Sequence, residues 1–430
     1  MPDDLRSDLA HLFRRAGFGA TPEQLDAAVR AGYAASVTDL ITPRAADLGA
    51  DATPAPAFEL AQPPGRGATT TQRRSYQMQV ATEGKQLMLW WLDRMVMADQ
   101  PFAEKMTFFW HGHFATALQK VRSSALMLRQ NQLLRSHGMG TFDALDLAVA
   151  QDPSMMIWLD TNQNVAAHPN ENFARENMEL FTLGYGRYTE NDVKESARAY
   201  TGWRYLRRTD AFTEIARLHD GGSKTLLGQT GNFDGGDAIR ILTHSQASRQ
   251  WIPTRVWSRF ARTVTFDPVV PELAAAYGPD LDLKALFTAT FTAAEFLQTK
   301  GELVKQPVEY VVGLLRALGL RPSSVRYLAV LRALGQVPFD PPNVGGWPAD
   351  EGWLTTAASL ARLQFAHAAA KAADLSAVEQ TARRDRIDAV TQLLSIDGFG
   401  ATTTAALNEV ADDPVTFVTL ALCAPEYVVN

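Results

Sequence analysis

The residues of this 430-residue chain best suited to chemistry are concentrated between positions 111 and 179. His111-Gly112-His113 sets two imidazoles one residue apart. On a strand or loop both can reach one metal ion, whereas on a regular helix side chains two apart point about 200° away from each other. Gly112 permits a local irregularity. The other readings are a single catalytic histidine, or His113 packed beside Phe109, Trp110 and Phe114 with His111 facing water. Further on, Asn172, Glu176 and Glu179 fall at i, i+4 and i+7, one face of a helix, with Glu171 and Arg175 beside them. Phe173, Ala174, Met178, Leu180 and Phe181 occupy the opposite arc. A carboxylate pair so placed can bind a divalent ion or share a proton, and a plain solvated helix face shows the same spacing. Asp160 follows the apolar run 155–159 and precedes Thr161-Asn162-Gln163-Asn164, which suits a pocket mouth or a turn. The single cysteine, Cys423, rules out an intramolecular disulfide framework, a cysteine-rich zinc site and an iron–sulfur cluster, leaving His, Asp, Glu and Asn as metal donors.

From these positions the expected metal set is His111, His113, Asp160, Glu176 and Glu179, whose oxygen and imidazole donors suit iron, manganese or zinc. Glu176 and His113 are the expected acid/base groups, with Arg175 beside them. Arg122 and Arg175 are placed to position an anionic substrate group, and Asn172 and Trp347 are further substrate contacts. This describes a soluble metal-dependent enzyme, hydrolytic or oxidative, acting on a small-molecule, saccharide or peptide substrate. Two alternatives stand beside it: a metal-free acid/base enzyme using Glu176 and His113, and a non-catalytic binding or scaffold module that docks a partner through its polar helix face and tryptophan loop.

The elements that must carry these residues read as mainly α-helical: one large multi-helix unit over residues 1–430 with a small β-hairpin insertion at 203–228. Apolar residues recur at three and four rather than two. Thr21-Pro22-Glu23-Gln24, Asp152-Pro153, Thr189-Glu190-Asn191-Asp192 and Asp234-Gly235-Gly236-Asp237 are helix starts, and Gly184 is a left-handed stop. Residues 53–74, rich in Pro and Gly, read as a linker or surface excursion. Asp220-Gly221-Gly222-Ser223 reads as the tip of the hairpin. The loop from Phe339 to Trp353 combines rigid prolines, flexible glycines and two tryptophans, suited to a lid, a sugar-stacking wall or a core cover.

A composition 46% hydrophobic and 20% charged is that of a globular protein. The formal charge of −6 gives no bulk attraction to nucleic acid or anionic lipid, so neither is an expected partner. No apolar run approaches a bilayer span, and the acidic start (Asp3, Asp4, Asp8) has no signal-peptide core, which favours the cytoplasm. Oligomeric state is left open.

Six separated segments, taken in order, resemble the bacterial family catalogued as domain of unknown function 1800. They are Trp110-His111-Gly112-His113-Phe114, Arg129-Gln130-Asn131, Asn170-Glu171-Asn172-Phe173-Ala174-Arg175-Glu176, Tyr188-Thr189-Glu190, Thr201-Gly202-Trp203 and Pro341-Pro342-Asn343-Val344-Gly345-Gly346-Trp347-Pro348. The resemblance begins at His11-Leu12-Phe13-Arg14-Arg15-Ala16-Gly17-Phe18-Gly19 and reaches at least Arg362, most of the chain. It implies a relationship and no particular activity. One departure stands out: a Leu-Met pair is expected after the Arg-Glu of the long helix motif, and this chain has Asn177-Met178.

Overall fold

A computed structural model describes residues 2–44, 46–263, 267–324 and 326–430. Those residues form 24 α-helices and two small antiparallel two-stranded sheets, so the mainly α-helical class holds. None of the helices is long and apolar enough to cross a membrane.

The local start signals act as their chemistry requires. Thr21 with Gln24, Thr189 with Asp192 and Asp234 with Asp237 form reciprocal capping boxes, and the Asp152 side chain accepts from the Ser154 and Met155 amides. Gly184 sits at φ +85°. The irregular stretch after Thr53 is shorter than expected, because Thr69 and Gln72 make a further capping box and the Thr70–Met97 helix begins there. Trp90 Nε1 donates to Thr53 O at 2.9 Å and Arg207 to Ala61 O at 2.7 Å, tying the start and the middle of that stretch to the body.

The β insertion differs from the expected single hairpin. Trp203–Leu206 pairs with Ala211–Glu214, and Lys224–Leu226 pairs with Gln229–Gly231. The Asp220–Ser223 stretch turns no hairpin: Arg198 donates to both Asp220 carboxylate oxygens at 2.7 and 3.1 Å, and Lys224 Nζ donates to the Gly222 carbonyl at 3.0 Å. The second hairpin turns instead at Leu227 (φ +46°) and Gly228 (φ +79°), two successive positive-φ residues as a tight antiparallel turn needs. A leucine at the first of these positions hides the signal.

The helix Pro101–His113 is buried along almost its whole length, its charged Glu104 and Lys105 included. Phe102 and Phe109 pack edge-on against Phe287, and Trp110 stacks on Phe114. Against this core the helix Asn172–Glu176 continues into a π-helical turn, Asn177–Thr182, in which the Leu183 amide donates to Met178 O at 2.9 Å.

The departure at Asn177 has a physical counterpart. Asn177 is fully buried, and its Nδ2 donates to both carboxylate oxygens of buried Asp146 at 2.9 and 3.2 Å. Burial lifts the Asp146 carboxyl to about 7, and the Asn177 bonds oppose that rise. Asn177→Leu strips the carboxylate of this donor and is expected to cost about 1–3 kcal/mol. In urea titrations the loss should be larger at about pH 8, where Asp146 is charged, than at about pH 5, where it is neutral. Equal losses at both values contradict this account.

Candidate functional site

Two helices face each other with matching stripes. Pro101–His113 presents Lys105, Phe108, Phe109, Gly112 and His113, and Gln246–Phe260 presents Trp251, Thr254, Arg255, Ser258 and Arg259, both at i, i+3, i+4, i+7 and i+8. Between them lies a cavity of about 360 Å³, of a size to hold a small molecule. Arg15, Glu309 and the 345–350 loop complete its wall.

That loop is held by close backbone approach. Gly346, at φ +82°, lies so near the helix that a Cβ there would sit 2.6 Å from Gly112 O. Trp347 is thereby brought to 5.4 Å from the His111 ring and 6.1 Å from Phe108. Gly346→Ala combines the wrong φ with a backbone clash and should cost about 1–3 kcal/mol. It should also lift Trp347 off the helix, red-shifting tryptophan emission. An unshifted spectrum with full stability refutes that contact.

The two histidines sit in regular helix and therefore diverge. His111 Nε2 accepts from the Phe339 amide at 2.9 Å, enclosed by Trp91, Phe339 and Trp347. His113 Nε2 lies 2.9 Å from Phe181 O, in the π turn. Because a carbonyl only accepts, Nε2 is the donor and carries the proton, leaving Nδ1 a bare lone pair that is buried with no partner. Burial holds both rings neutral, down to about 3, and for His113 the Arg255 charge adds to the effect. Trp251 Nε1 donates to the neighbouring carbonyl, Leu180 O, at 3.0 Å, so two cavity residues satisfy the carbonyls of the π turn.

Beneath the cavity lies a buried charge cluster. Glu309 Oε1 is shared by Lys105 Nζ at 2.5 Å and by Arg259, while Oε2 accepts from the Gln306 amide at 2.9 Å. The carboxyl, met by two cations, is held down to about 2 although burial alone would raise it. Lys105, sharing its one counter-charge with Arg259, is pulled by burial to about 8. Arg15 Nη2 donates to Thr299 O at 2.7 Å and Asn430 O at 2.9 Å, but its Nε and Nη1 are buried without partners.

The remaining expected site residues lie elsewhere. Asp160 (φ +57°) pairs with Lys120 at 2.8 Å at a turn. Arg175 bridges Glu171 and Glu190 at 3.0 and 2.8 Å, and these partners raise its pKa. Glu179 accepts from Tyr188 Oη, and half-buried Glu176 is raised first by burial and then by the Glu179 charge. Asn172 Nδ2 donates to Leu159 O at 3.1 Å. Arg122, left-handed at φ +53°, is exposed, its carbonyl taken by Tyr76 Oη at 2.9 Å. The set His111, His113, Asp160, Glu176 and Glu179 is thus not assembled, and among the described residues no group of three or more His, Cys, Asp or Glu is placed to hold a metal. The physical reason is the regular helix at 111–113, which turns the imidazoles apart. Of the expected residues, His113 and Trp347 line the cavity.

Sequence reasoning passed over Arg15, Lys105, Arg255, Arg259 and Glu309. The available signal was a charge set in apolar helix: Lys105 lies in a run of Phe, Met and Trp, and Glu309 in Pro-Val-Glu-Tyr-Val-Val.

Fold and cavity define a large helical protein with a cation-lined cavity. The chain belongs to the family described as protein of unknown function (DUF1800), whose model matches residues 11–429. No curated protein and no solved structure matches it. Three of the segments on which the resemblance rests meet at the cavity, through Arg15, His113 and Trp347.

Proposed function

We propose that this protein is an acid/base enzyme that needs no metal and acts on a small anionic molecule bound in the cavity, with His113 taking the proton at Nδ1. The observation that carries the reading is the bare, unpartnered Nδ1 of a buried His113, its tautomer set by Phe181 O, in a wall that also carries four cations. With the cavity empty of anion, burial and Arg255 suppress the basicity of the ring. A negative group beside Arg255 cancels that repulsion, so the ring becomes a stronger base when substrate is present. The proton leaves a C–H or O–H of the substrate, the bonding pair stays on the substrate, and the imidazolium returns the proton to product or water. Glu176 does not line the cavity and has no part in this scheme.

The test is proton exchange. Wild-type protein in D2O with a panel of small carboxylates and phosphate monoesters should remove a C–H signal from at least one of them by NMR, unaffected by EDTA. His113→Gln keeps an amide donor for Phe181 O but lacks the Nδ1 lone pair, and exchange should fall by about 10²–10⁴-fold. Full exchange by this variant, or activity that EDTA abolishes and added metal restores, overturns the proposal.

A further inference from the structure

The charge inventory of the cavity sharpens what it holds. Four lining cations, Arg15, Lys105, Arg255 and Arg259, face the lining side-chain carboxylates of Glu309 and Asp350. Glu309 is fully engaged by Lys105 and Arg259. Asp350 Oδ1 accepts from the Val304 amide at 2.9 Å. Among the described residues, Arg15 and Arg255 are the two lining cations that no Asp or Glu side chain pairs. Arg15 is 2% exposed and keeps two guanidinium nitrogens without partners. Arg255 has its Nε buried and unpartnered, forms no ion pair among the described residues, and lies 5.6 Å from the Trp251 ring centroid. Two guanidiniums with free planar donors suit an anion with several acceptor oxygens and a double charge. Thr254 and Ser258 put hydroxyls on the same helical stripe as Arg255. Trp347 and Trp251 add flat apolar walls for the rest of the ligand.

We infer that the cavity is a phosphate monoester site, with Arg15 and Arg255 meeting the dianionic phosphoryl group, the two tryptophans covering the organic part, and His113 Nδ1 accepting a hydrogen bond from it. This rests on the cavity being the ligand site named above and adds the substrate class.

The probe is phenyl phosphate, compared with inorganic phosphate, benzoate (a monoanion) and phthalate (a dicarboxylate), titrated into full-length protein and followed by tryptophan fluorescence and calorimetry. At about pH 7.5 phenyl phosphate should bind about tenfold or more tighter than benzoate. Its affinity should fall below about pH 6, where phosphate monoesters lose their second charge. Arg255→Gln should weaken phenyl phosphate by about tenfold or more while its melting midpoint without ligand stays level or rises, since an unmatched cation has been removed. Inorganic phosphate should bind more weakly and compete. Benzoate binding as well as phenyl phosphate, phthalate binding better than phenyl phosphate, or Arg255→Gln binding like wild type each overturns the inference. Phosphate binding without proton exchange refutes the acid/base scheme and leaves the site standing. Proton exchange on a simple carboxylate, with no phosphate binding, does the reverse.

Discussion

Glu309→Gln is expected to destabilise the protein by about 3–5 kcal/mol, the usual cost of leaving buried charges without their partner. Glu309 is 4% exposed and is the carboxylate shared by Lys105 and Arg259, with Arg15 and Lys305 also within its field. Glutamine keeps the size of the side chain and one acceptor oxygen but removes the charge. Lys105, 1% exposed, then loses its anionic partner and keeps neutral ones, among them the carbonyls of Gly17 at 2.9 Å and Arg14 at 3.4 Å. Lys105→Met should cost less, because Glu309 keeps Arg259. The double variant Lys105→Met, Glu309→Gln should lose less than the two single losses together, since part of the penalty of Glu309→Gln is the stranded ammonium. Urea unfolding of the four proteins measures this cycle. A loss below about 1 kcal/mol for Glu309→Gln, or strict additivity, contradicts a coupled buried cluster.

Acidification should bring a gentle decline in stability followed by a steep collapse between about pH 4 and pH 3. His11, held down to about 2, and His111 and His113, held to about 3, stay unprotonated in the folded chain while the unfolded chain takes up protons near the ordinary value of 6.5. Protons therefore favour unfolding below 6.5, at up to about 1.4 kcal/mol per pH unit for each ring. Asp146 and Asp152, lifted by burial to about 7 and about 6, work in the opposite sense: the folded chain binds their protons first, so stability is gained until the unfolded carboxyls protonate near 3.8. Three losses against two gains give a net decline of about 1.4 kcal/mol per unit between about pH 6 and pH 4.5. Below that the Asp gains end and Glu309, held at about 2 against an ordinary 4.5, joins the losses. Four groups together then remove up to about 5 kcal/mol per unit, enough to exhaust the stability of an ordinary protein within about two units. Helical circular dichroism against pH tests the shape. Asp146→Asn should steepen the upper part, widening the stability difference between about pH 7.5 and pH 4.5 by about 3 kcal/mol. A collapse already complete at about pH 5.5, or no effect of Asp146→Asn on the slope, refutes this balance of groups.

What could be read locally was what is decided locally. A capping box satisfies its own amides within four residues, so Thr21, Thr189 and Asp234 announced their helices without reference to the rest of the chain. Gly184 did the same for a helix end. The hairpins were harder, since Asp220-Gly221-Gly222-Ser223 has turn composition, and only the pull of Arg198 and Lys224 diverts it from that use. The π turn at Asn177–Thr182 has no signal in apolar spacing, yet it frees the carbonyls that hold His113 and Trp251.

The candidate site divides in the same way. His113 and Trp347 were visible as residue types in unusual settings, but their partners were not, because Arg15, Lys105, Arg255 and Glu309 come from four distant parts of the chain. By itself the sequence determined the helical class, the family relationship, the helix caps and the restriction of any metal chemistry to His, Asp, Glu and Asn donors. Tertiary structure alone decided that the two histidines of His111-Gly112-His113 part company and that buried cations gather around one of them. The periodicity of a helix says which residues share a face, and nothing along the chain says which faces meet.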